Sequence, residues 1–278
     1  MRNIKTTAYK ILTSYGFYLS VAAVCLLCLF SEVSLLEDTG KKFTVIEIII
    51  RKSELKSRLE RTMLDVAYVI LNNSNYWFSL FVPIAASFSF APLLCDEHEF
   101  MFSRSEIFRS SRIRYSFSEF FTSTLMGGLA VALGFVLFSL ICFGFFPKNA
   151  TAEDINEKVK ATVYLARLMH MFFYGVIYSA FAAFLAAITK NKYLVICVPF
   201  FMKYLLNLLS YKIMSIPLQE SRYHLIKKVA VVIDPDALSG FSGLGEFKKR
   251  VAVYNAGLYL VLLMLYILIR ERKFDCGE

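Results

Sequence analysis

The sequence lacks the short motifs that mark most enzymes using ATP, zinc or a nucleophilic serine. It contains no G-x-x-x-x-G-K-[ST] loop, no H-E-x-x-H pair and no G-x-S-x-G turn. Its histidines, His98, His170 and His224, lie in three separate regions. These absences favour a protein that is not an enzyme and that has no cofactor or metal of its own.

Cysteine is absent from the long polar stretches, which argues against a disulfide framework. Cys25-x-x-Cys28 resembles a redox or zinc pair, but no second pair or histidine lies near it. Buried free cysteines behave as small apolar side chains, and we interpret this pair in that way. The six cysteines are Cys25, Cys28, Cys95, Cys142, Cys197 and Cys276.

Charged residues are rare within several long apolar runs. Hydrophobic residues make up 57% of the 278 residues, whereas globular proteins have roughly 45–50% apolar residues. The formal net charge of +9 fits basic loops beside anionic lipid head groups. Because no polar segment interleaves arginines with aromatic residues, we predict no nucleic-acid partner.

The apolar runs predict an all-α integral membrane protein with a single transmembrane domain over residues 1–278 and six transmembrane helices. The predicted spans are 15–36, 76–94, 120–146, 168–188, 193–211 and 251–269. The external loops are 37–75, 147–167 and 212–250.

Both termini are predicted to be cytoplasmic, because the first residues carry three cations and no acid and the last span is followed by R-E-R-K. Helical spacing of Ile4, Ala8, Ile11 and Tyr15 indicates an amphipathic helix in the membrane interface before the first span. A cleaved signal peptide is the alternative. The run is long for one, and no clear cleavage site follows it.

The first external loop contains a second amphipathic helix. Thr44 and Glu47 form a T-x-x-E capping box, and the apolar periodicity continues to about residue 72. We interpret this helix as a solvated cover over the mouth of the membrane domain. The loop 212–250 is rich in apolar, Pro and Gly residues, and we predict that it is partly re-entrant or lies on the membrane surface.

Proline and glycine mark special positions inside two spans. Pro83 and Pro92 predict a kink in the second span, because each removes a helical hydrogen bond. Gly127, Gly128 and Gly134 give the third span a surface of small residues that favours close helix contact.

Lys203 is the one charged residue deep within a predicted span, and Asn207 follows it by one helical turn. A cation at mid-membrane costs at least about 2.5–3.5 kcal/mol. We therefore considered two interpretations. Both residues could line a substrate path, or Lys203 could snorkel to the interface or make a structural hydrogen bond.

The elbow, residues 96–119, is the charged connection between the second and third predicted spans. Ser103 and Glu106 form an S-x-x-E capping box that predicts a short helix over about 104–112. So short a helix is marginal unless it is docked on something. It could lie among lipid head groups, or it could be a coupling helix that inserts into a partner protein.

The pattern C-D-E-H-E, a short helix, S-S-R-I-R-Y and a glycine-rich span resembles the permease subunits of type-2 ATP-binding-cassette transporters. In that family an acidic pair follows the second span, and an Arg- and Tyr-containing stretch precedes the third. The six-span layout, the internal termini and the amphipathic start are also similar. Phe100-Met101 stand here in place of the usual small residue.

The resemblance implies a half-transporter that works with a separate ATPase subunit, which would carry the ATP and magnesium, and with a second permease copy or a sister permease. The activity would be export of a lipid, peptide, polysaccharide or drug across the plasma membrane of a bacterial cell, with membrane lipids as further partners. The implied coupling residues are Glu97, Glu99, Arg104, Glu106, Arg109 and Arg112.

Two other functions stay open at the level of sequence. One is a non-transporting multi-span protein that acts in assembly, immunity or regulation, with its elbow bound to head groups or a regulator. The other is an intramembrane enzyme, which would need paired ionisable residues inside the spans.

Overall fold

The computed structural model describes residues 2–34, 42–51, 76–99, 111–145, 161–189, 191–215 and 249–275. These residues are helical apart from one short antiparallel pair of strands and a few turns. The helices are α1 (Arg2–Leu12), α2 (Tyr15–Leu29), α3 (Val45–Arg51), α4 (Tyr76–Phe88), α5 (Ala91–Glu99), α6 (Arg112–Phe145), α7 (Ala161–Ile188), α8 (Lys192–Ser215) and α9 (Lys249–Asp275). The strands are β1 (Glu32–Ser34) and β2 (Lys42–Thr44).

Long apolar helices confirm the coarse prediction of an α-helical, multi-pass membrane protein. Within the described ranges, α6, α7 and α8 are each long and apolar enough to cross a membrane. Two bent pairs raise the number of candidate spans to five: α1 with α2, bent by 61°, and α4 with α5, bent by 42°.

The predicted end of the first span is wrong, because α2 ends at Leu29 and the chain then turns into a sheet. Glu32 pairs with Thr44 in the antiparallel register of β1 and β2. Continuing the helix would have carried the charged Glu32 along the apolar run. The sheet instead ties this segment to the residues that precede α3, and no pattern in the sequence predicts it.

The start of the predicted external helix is confirmed at α3. Thr44 caps it, since its Oγ1 accepts a hydrogen bond of 3.2 Å from the backbone N–H of Glu47. Val45 is buried in the same apolar cluster as Cys28, and Ile49 packs against that cluster. The first turn of α3 is therefore packed into the bundle. The remainder of that prediction, residues 52–75, lies outside the described residues.

The expected kink in the second predicted span lies between α4 and α5, and the helix then continues past 94 to Glu99. Pro83 stands inside α4. Pro92 has no N–H to donate to the carbonyl of Phe88, four residues earlier, so the helix breaks there and restarts at Ala91. Ser87 and Ser89 donate hydrogen bonds to backbone carbonyls near the break, at 2.7 Å each.

The other helices are longer than the spans predicted for them. The third begins at Arg112 rather than at 120, so the last eight residues assigned to the elbow are the first turns of α6. Helix α7 begins at Ala161, and its candidate span, Leu168–Ile188, matches the fourth predicted span. Helix α8 covers the fifth predicted span as Lys192–Ser215. The sixth prediction falls in α9, Lys249–Asp275, which is not among the candidate spans of the described residues. The two arginines and several serines of residues 111–119 predict a polar connection between spans, and this part of the prediction is wrong.

The predicted small-residue surface on α6 is confirmed, because these glycines lie against neighbouring backbones. A Cβ atom on Gly128 would lie 2.7 Å from the carbonyl oxygen of Phe172 on α7. One on Gly134 would lie 2.8 Å from the carbonyl oxygen of Val21 on α2. From the opposite side, a Cβ on Gly175 would lie 2.8 Å from the Cα of Gly128. Only glycine permits these crossings.

Replacing Gly128 by alanine should destabilise the protein, because the new methyl group meets a backbone carbonyl that cannot rotate away. We expect Gly128→Ala to lower the free energy of unfolding by about 1–3 kcal/mol, measured by denaturation in mixed detergent–SDS micelles. Gly257→Ala in α9 is the matched control, since no described atom lies within 4 Å of its new methyl group. Equal losses in the two variants would contradict this account of the crossing.

Candidate functional site

A buried carboxylate lies where the elbow enters the membrane bundle. Glu119 is 1% exposed and lies one turn after Tyr115 on α6. Its Oε1 atom accepts hydrogen bonds from His98 Nε2 and from the Tyr115 hydroxyl, both at 3.3 Å. Its Oε2 atom accepts from the Tyr266 hydroxyl at 2.8 Å and from Arg270 Nη2 at 3.2 Å. We call these five residues the Glu119 cluster.

The Glu119 cluster joins four helices. His98 belongs to α5, Tyr115 and Glu119 to α6, and Tyr266 and Arg270 lie one turn apart on α9. His98 reaches the fourth helix through Nδ1, which lies 3.1 Å from the carbonyl oxygen of Ala186 on α7. Both helices that flank the elbow are therefore bonded to each other and to the rest of the bundle.

The charge of the Glu119 side chain is fixed by the groups that surround it. Arg270 has no accessible neutral form, so the carboxyl group that faces it is stabilised as a carboxylate. His98 lies between that carboxylate and a backbone carbonyl, both of which accept hydrogen bonds. The geometry therefore places one buried anion against the Arg270 guanidinium, and the low local dielectric strengthens such a contact.

Two ion pairs at the edge of the cluster add two further helices. Lys10 Nζ on α1 lies 2.8 Å from Glu97 Oε1 on α5. Lys192, the first residue of α8, pairs with Asp96 on α5, and both side chains are about two-fifths exposed, at 40% and 39%. Together with the Glu119 cluster, these pairs bring α1, α5, α6, α7, α8 and α9 to one end of the bundle.

The structure places two of the predicted coupling residues at this end. The Glu97 carboxylate is used within the chain, in its pair with Lys10. Arg112 is exposed at the first position of α6. Glu99 ends α5, and its side chain is outside the description. Arg104, Glu106 and Arg109 lie outside the described residues.

Sequence reasoning missed the residues that hold this end together, namely Glu119, Tyr266, Arg270, Lys10 and Lys192. The sequence analysis places Glu119 in the elbow, whereas the structure starts α6 eight residues earlier, at Arg112. The spacing of Tyr115, Glu119 and Ser123 places all three on one helical face, and this spacing is the signal in the sequence that indicates the cluster. Arg270 belongs to the predicted basic tail, whereas the structure places it in α9.

The predicted pair in the fifth span forms a second polar site, the Lys203 site. Lys203 is 0% exposed, and its Nζ donates a hydrogen bond to the Tyr174 hydroxyl. That hydroxyl in turn donates to the carbonyl of Ser79 at 2.6 Å. Lys203 Nζ also lies 4.8 Å and 5.9 Å from the ring centroids of Tyr174 and Tyr178. The lysine thus points into the bundle and does not snorkel outward.

Asn207 completes the Lys203 site. Its Oδ1 atom is buried and has no hydrogen-bond partner within the part of the chain that the structure describes. A buried acceptor without a partner costs about 1–3 kcal/mol. The Lys203 site is therefore the place in the described bundle where a cation and an unused acceptor share one helical face.

Metal ligands and comparisons with known proteins add no further site to the described residues. Among the described residues, no group of three or more His, Cys, Asp and Glu side chains could hold a metal ion. Comparison with models of protein families and with curated proteins finds no match. The functional argument therefore depends on the two polar sites and on the sequence patterns.

Replacing Glu119 by glutamine should strongly destabilise the protein, because it leaves Arg270 buried opposite a neutral group. We expect a loss of about 3–5 kcal/mol in the free energy of unfolding, measured in mixed detergent–SDS micelles. The double variant Glu119→Gln/Arg270→Met should recover part of this loss, because the buried charge is gone.

Asp96→Asn provides the control for Glu119, since it breaks a half-exposed ion pair at the same end. Such pairs contribute about 0–1 kcal/mol. A loss at Glu119 no larger than that at Asp96, or no recovery in the double variant, would show that the Glu119 cluster is not the main electrostatic support of this end.

Proposed function

We propose that this chain is the membrane-spanning permease subunit of an ATP-driven exporter and works with a separate ATPase subunit. The observation that carries the proposal is the attachment of the elbow. His98, on the helix that enters the elbow, is bonded to Ala186 on α7, and Glu119, on the helix that leaves the elbow, is bonded to Arg270 on α9. His98 and Glu119 are also bonded to each other. A partner that moves the elbow would therefore move the bundle.

The same contacts support six membrane crossings. The start of α1–α2, the elbow, the α7–α8 connection and the end of α9 meet at one end through Lys10, Glu119, Lys192 and Arg270. That arrangement is expected if the chain crosses the membrane six times, with the last crossing in α9 and both ends on the elbow side. The basic start and tail support a cytoplasmic position for this side.

Helix α6 is suited to transmit movement. Its 34 residues extend about 50 Å at 1.5 Å per residue, which exceeds the thickness of a bilayer's hydrocarbon core. Its base carries Glu119, and its middle lies against α7 at the glycine crossing. A displacement of the base is thus passed to the far end of the same helix and to its closely packed neighbour.

The exposed residues at the base of α6 suit a docking surface for the ATPase. Arg112 and Arg114 are exposed there beside Ile113, 55% exposed, and Phe117, 42% exposed. Cations bordering an apolar surface fit an acidic cleft with an apolar floor on a partner protein. The partner would bind ATP and magnesium, and a second permease copy or a sister permease would complete the transporter.

Charge reversal at the elbow should abolish docking. We expect Arg109→Glu/Arg112→Glu to prevent co-purification of a P-loop ATPase encoded in an adjacent reading frame, because the cleft would then face like charge. Arg272→Glu, an exposed arginine at the end of α9, is the matched control and should leave co-purification intact.

The alternative for the elbow is binding to lipid head groups, which the exposed Ile113 and Phe117 would also suit. In that case the reversed variant would bind less well to anionic vesicles, and no ATPase would co-purify even with the unaltered chain. That result would refute the transporter proposal and leave the non-transporting function.

Weakening the Glu119 cluster should leave binding of the ATPase intact but impair the transmission of movement from the ATPase to the membrane helices. We expect His98→Gln to keep the ATPase bound but to lower permease-dependent ATP hydrolysis in proteoliposomes about fivefold or more, the scale of a coupling energy of 1–3 kcal/mol. His170→Gln on α7 is the matched control. Unchanged hydrolysis in the His98 variant would contradict a coupling role for the cluster.

A further inference from the structure

Two of the candidate spans are broken, and their breaks lie against each other. Helix α1 is bent by 61° from α2, with the break at 13–14, and α4 is bent by 42° from α5, with the break at 89–90. A Cβ atom on Gly16, in the first turn of α2, would lie 3.0 Å from the carbonyl oxygen of Phe88 and 3.8 Å from that of Ser89. The first turn of α2 therefore rests on the point where α4 ends.

The backbone holds the angle between α4 and α5 only weakly. Pro92 has no N–H to donate to the carbonyl of Phe88, so the regular helical bond across this break cannot form. The turn at the break is closed by a bond from the N–H of Phe90 to the carbonyl of Ser87, which at 3.4 Å is longer than a typical hydrogen bond. A small change in the angle therefore breaks no regular helical bond at this point.

A serine hydroxyl links the two helices at the other break. Ser14 Oγ donates a hydrogen bond to the carbonyl of Ile11 on α1 at 2.7 Å and accepts one from the N–H of Phe17 on α2 at 3.3 Å. Side-chain bonds of this kind stand in for the regular backbone bonds where a helix bends. Because a hydroxyl group can rotate, it adjusts to a change of angle more easily than a run of backbone hydrogen bonds does.

On the elbow side of the breaks, α1 and α5 are joined to each other. Lys10 Nζ on α1 lies 2.8 Å from Glu97 Oε1 on α5. Ile11 on α1 and Leu94 on α5 are buried in the same apolar cluster. Helix α1 also packs along α6. These two short helices therefore form one unit with the base of α6.

On the opposite side of the breaks, α2 and α4 are joined to each other by separate contacts. Ser20 Oγ on α2 donates a hydrogen bond of 2.5 Å to the carbonyl of Ala85 on α4. Val24 on α2 and Val82 on α4 are both buried in a second apolar cluster. Each broken span thus has one half in the elbow-side unit and the other half in the body of the bundle.

We infer that the two breaks form one hinge, about which α1 and α5 turn together with the base of α6 while α2 and α4 stay packed in the bundle. An unbroken helix would have to tilt over its whole length when its elbow end moved. Two breaks at one level remove that requirement, because both helices bend at the same place. The inference goes beyond the proposed function, since the hinge would serve any partner that moves the elbow.

Closing one break tests whether the two breaks act together. Pro92→Ala supplies an N–H for the carbonyl of Phe88 and should fix the angle between α4 and α5. We expect amide hydrogen exchange in peptides covering 88–94 to slow about fivefold, the effect of one hydrogen bond on a local opening, measured on the whole chain in lipid nanodiscs. If the breaks form one hinge, peptides covering 13–18 should slow as well, although they lie on another span.

Pro83→Ala is the matched control, because it makes the same substitution inside α4 and away from the break. It should leave exchange at 13–18 unchanged. Slowing that is confined to 88–94 in Pro92→Ala would show two independent kinks and overturn the inference. Slowing at neither break would also overturn it, since the missing N–H would then not be what leaves the angle free. The measurement needs no ATPase, so its failure would leave the transporter proposal in place.

A second variant keeps the inference testable if Pro92→Ala does not fold. Lys10→Gln removes the ion pair that joins α1 to α5, and Lys10 is partly exposed, so this variant should retain the fold. We expect exchange to become at least about twofold faster at both breaks, because the two short helices then move separately. Lys192→Gln, which removes the pair between α8 and α5 at the same end, is the control. Equal exchange in the two lysine variants at both breaks would overturn the inference.

Discussion

Burying the Glu119 carboxylate is favourable only if every oxygen is hydrogen-bonded and a cation compensates its charge. His98, Tyr115, Tyr266 and Arg270 meet these conditions, and they come from three helices. The position of each helix at this end is therefore constrained by one group. Because the elbow lies between two of these helices, the most strongly constrained part of the bundle is also the part a partner would move.

Two different kinds of contact hold α6 along its length. Near its base the contacts are polar and directional, and they depend on charge. At Gly128 and Gly134 they are close approaches of backbones, which depend only on the absence of a side chain. The first kind can break and re-form as one unit, whereas the second keeps α6 beside α7 and α2. This division suits a helix that transmits movement while it stays within its bundle.

Sequence patterns predicted the features that depend on residues close together in the chain. The Thr44 cap, the small-residue crossing at Gly128 and the helical membrane class followed from spacing and composition, whereas the sequence left open whether Lys203 points inward or snorkels to the interface. The Glu119 cluster could not be predicted, because it joins residues more than 150 positions apart on helices whose register is set by packing. The early start of α6 was missed for a related reason: residues 112–119 include two arginines, two serines and a glutamate, and only the burial of Tyr115, Ser116, Ser118 and Glu119 shows that this segment belongs to the bundle.

Amide hydrogen exchange of the whole chain in lipid nanodiscs tests the central role of Glu119 most directly, by comparing the wild type with Glu119→Gln. If the cluster constrains this end as one unit, peptides containing His98, Ala186 and Arg270 should lose protection together. Peptides around Ser79, at the other end of α4, should keep it. Loss of protection confined to the first turns of α6 would contradict the account, because it would show that the helices meeting at Glu119 are held in place independently of it.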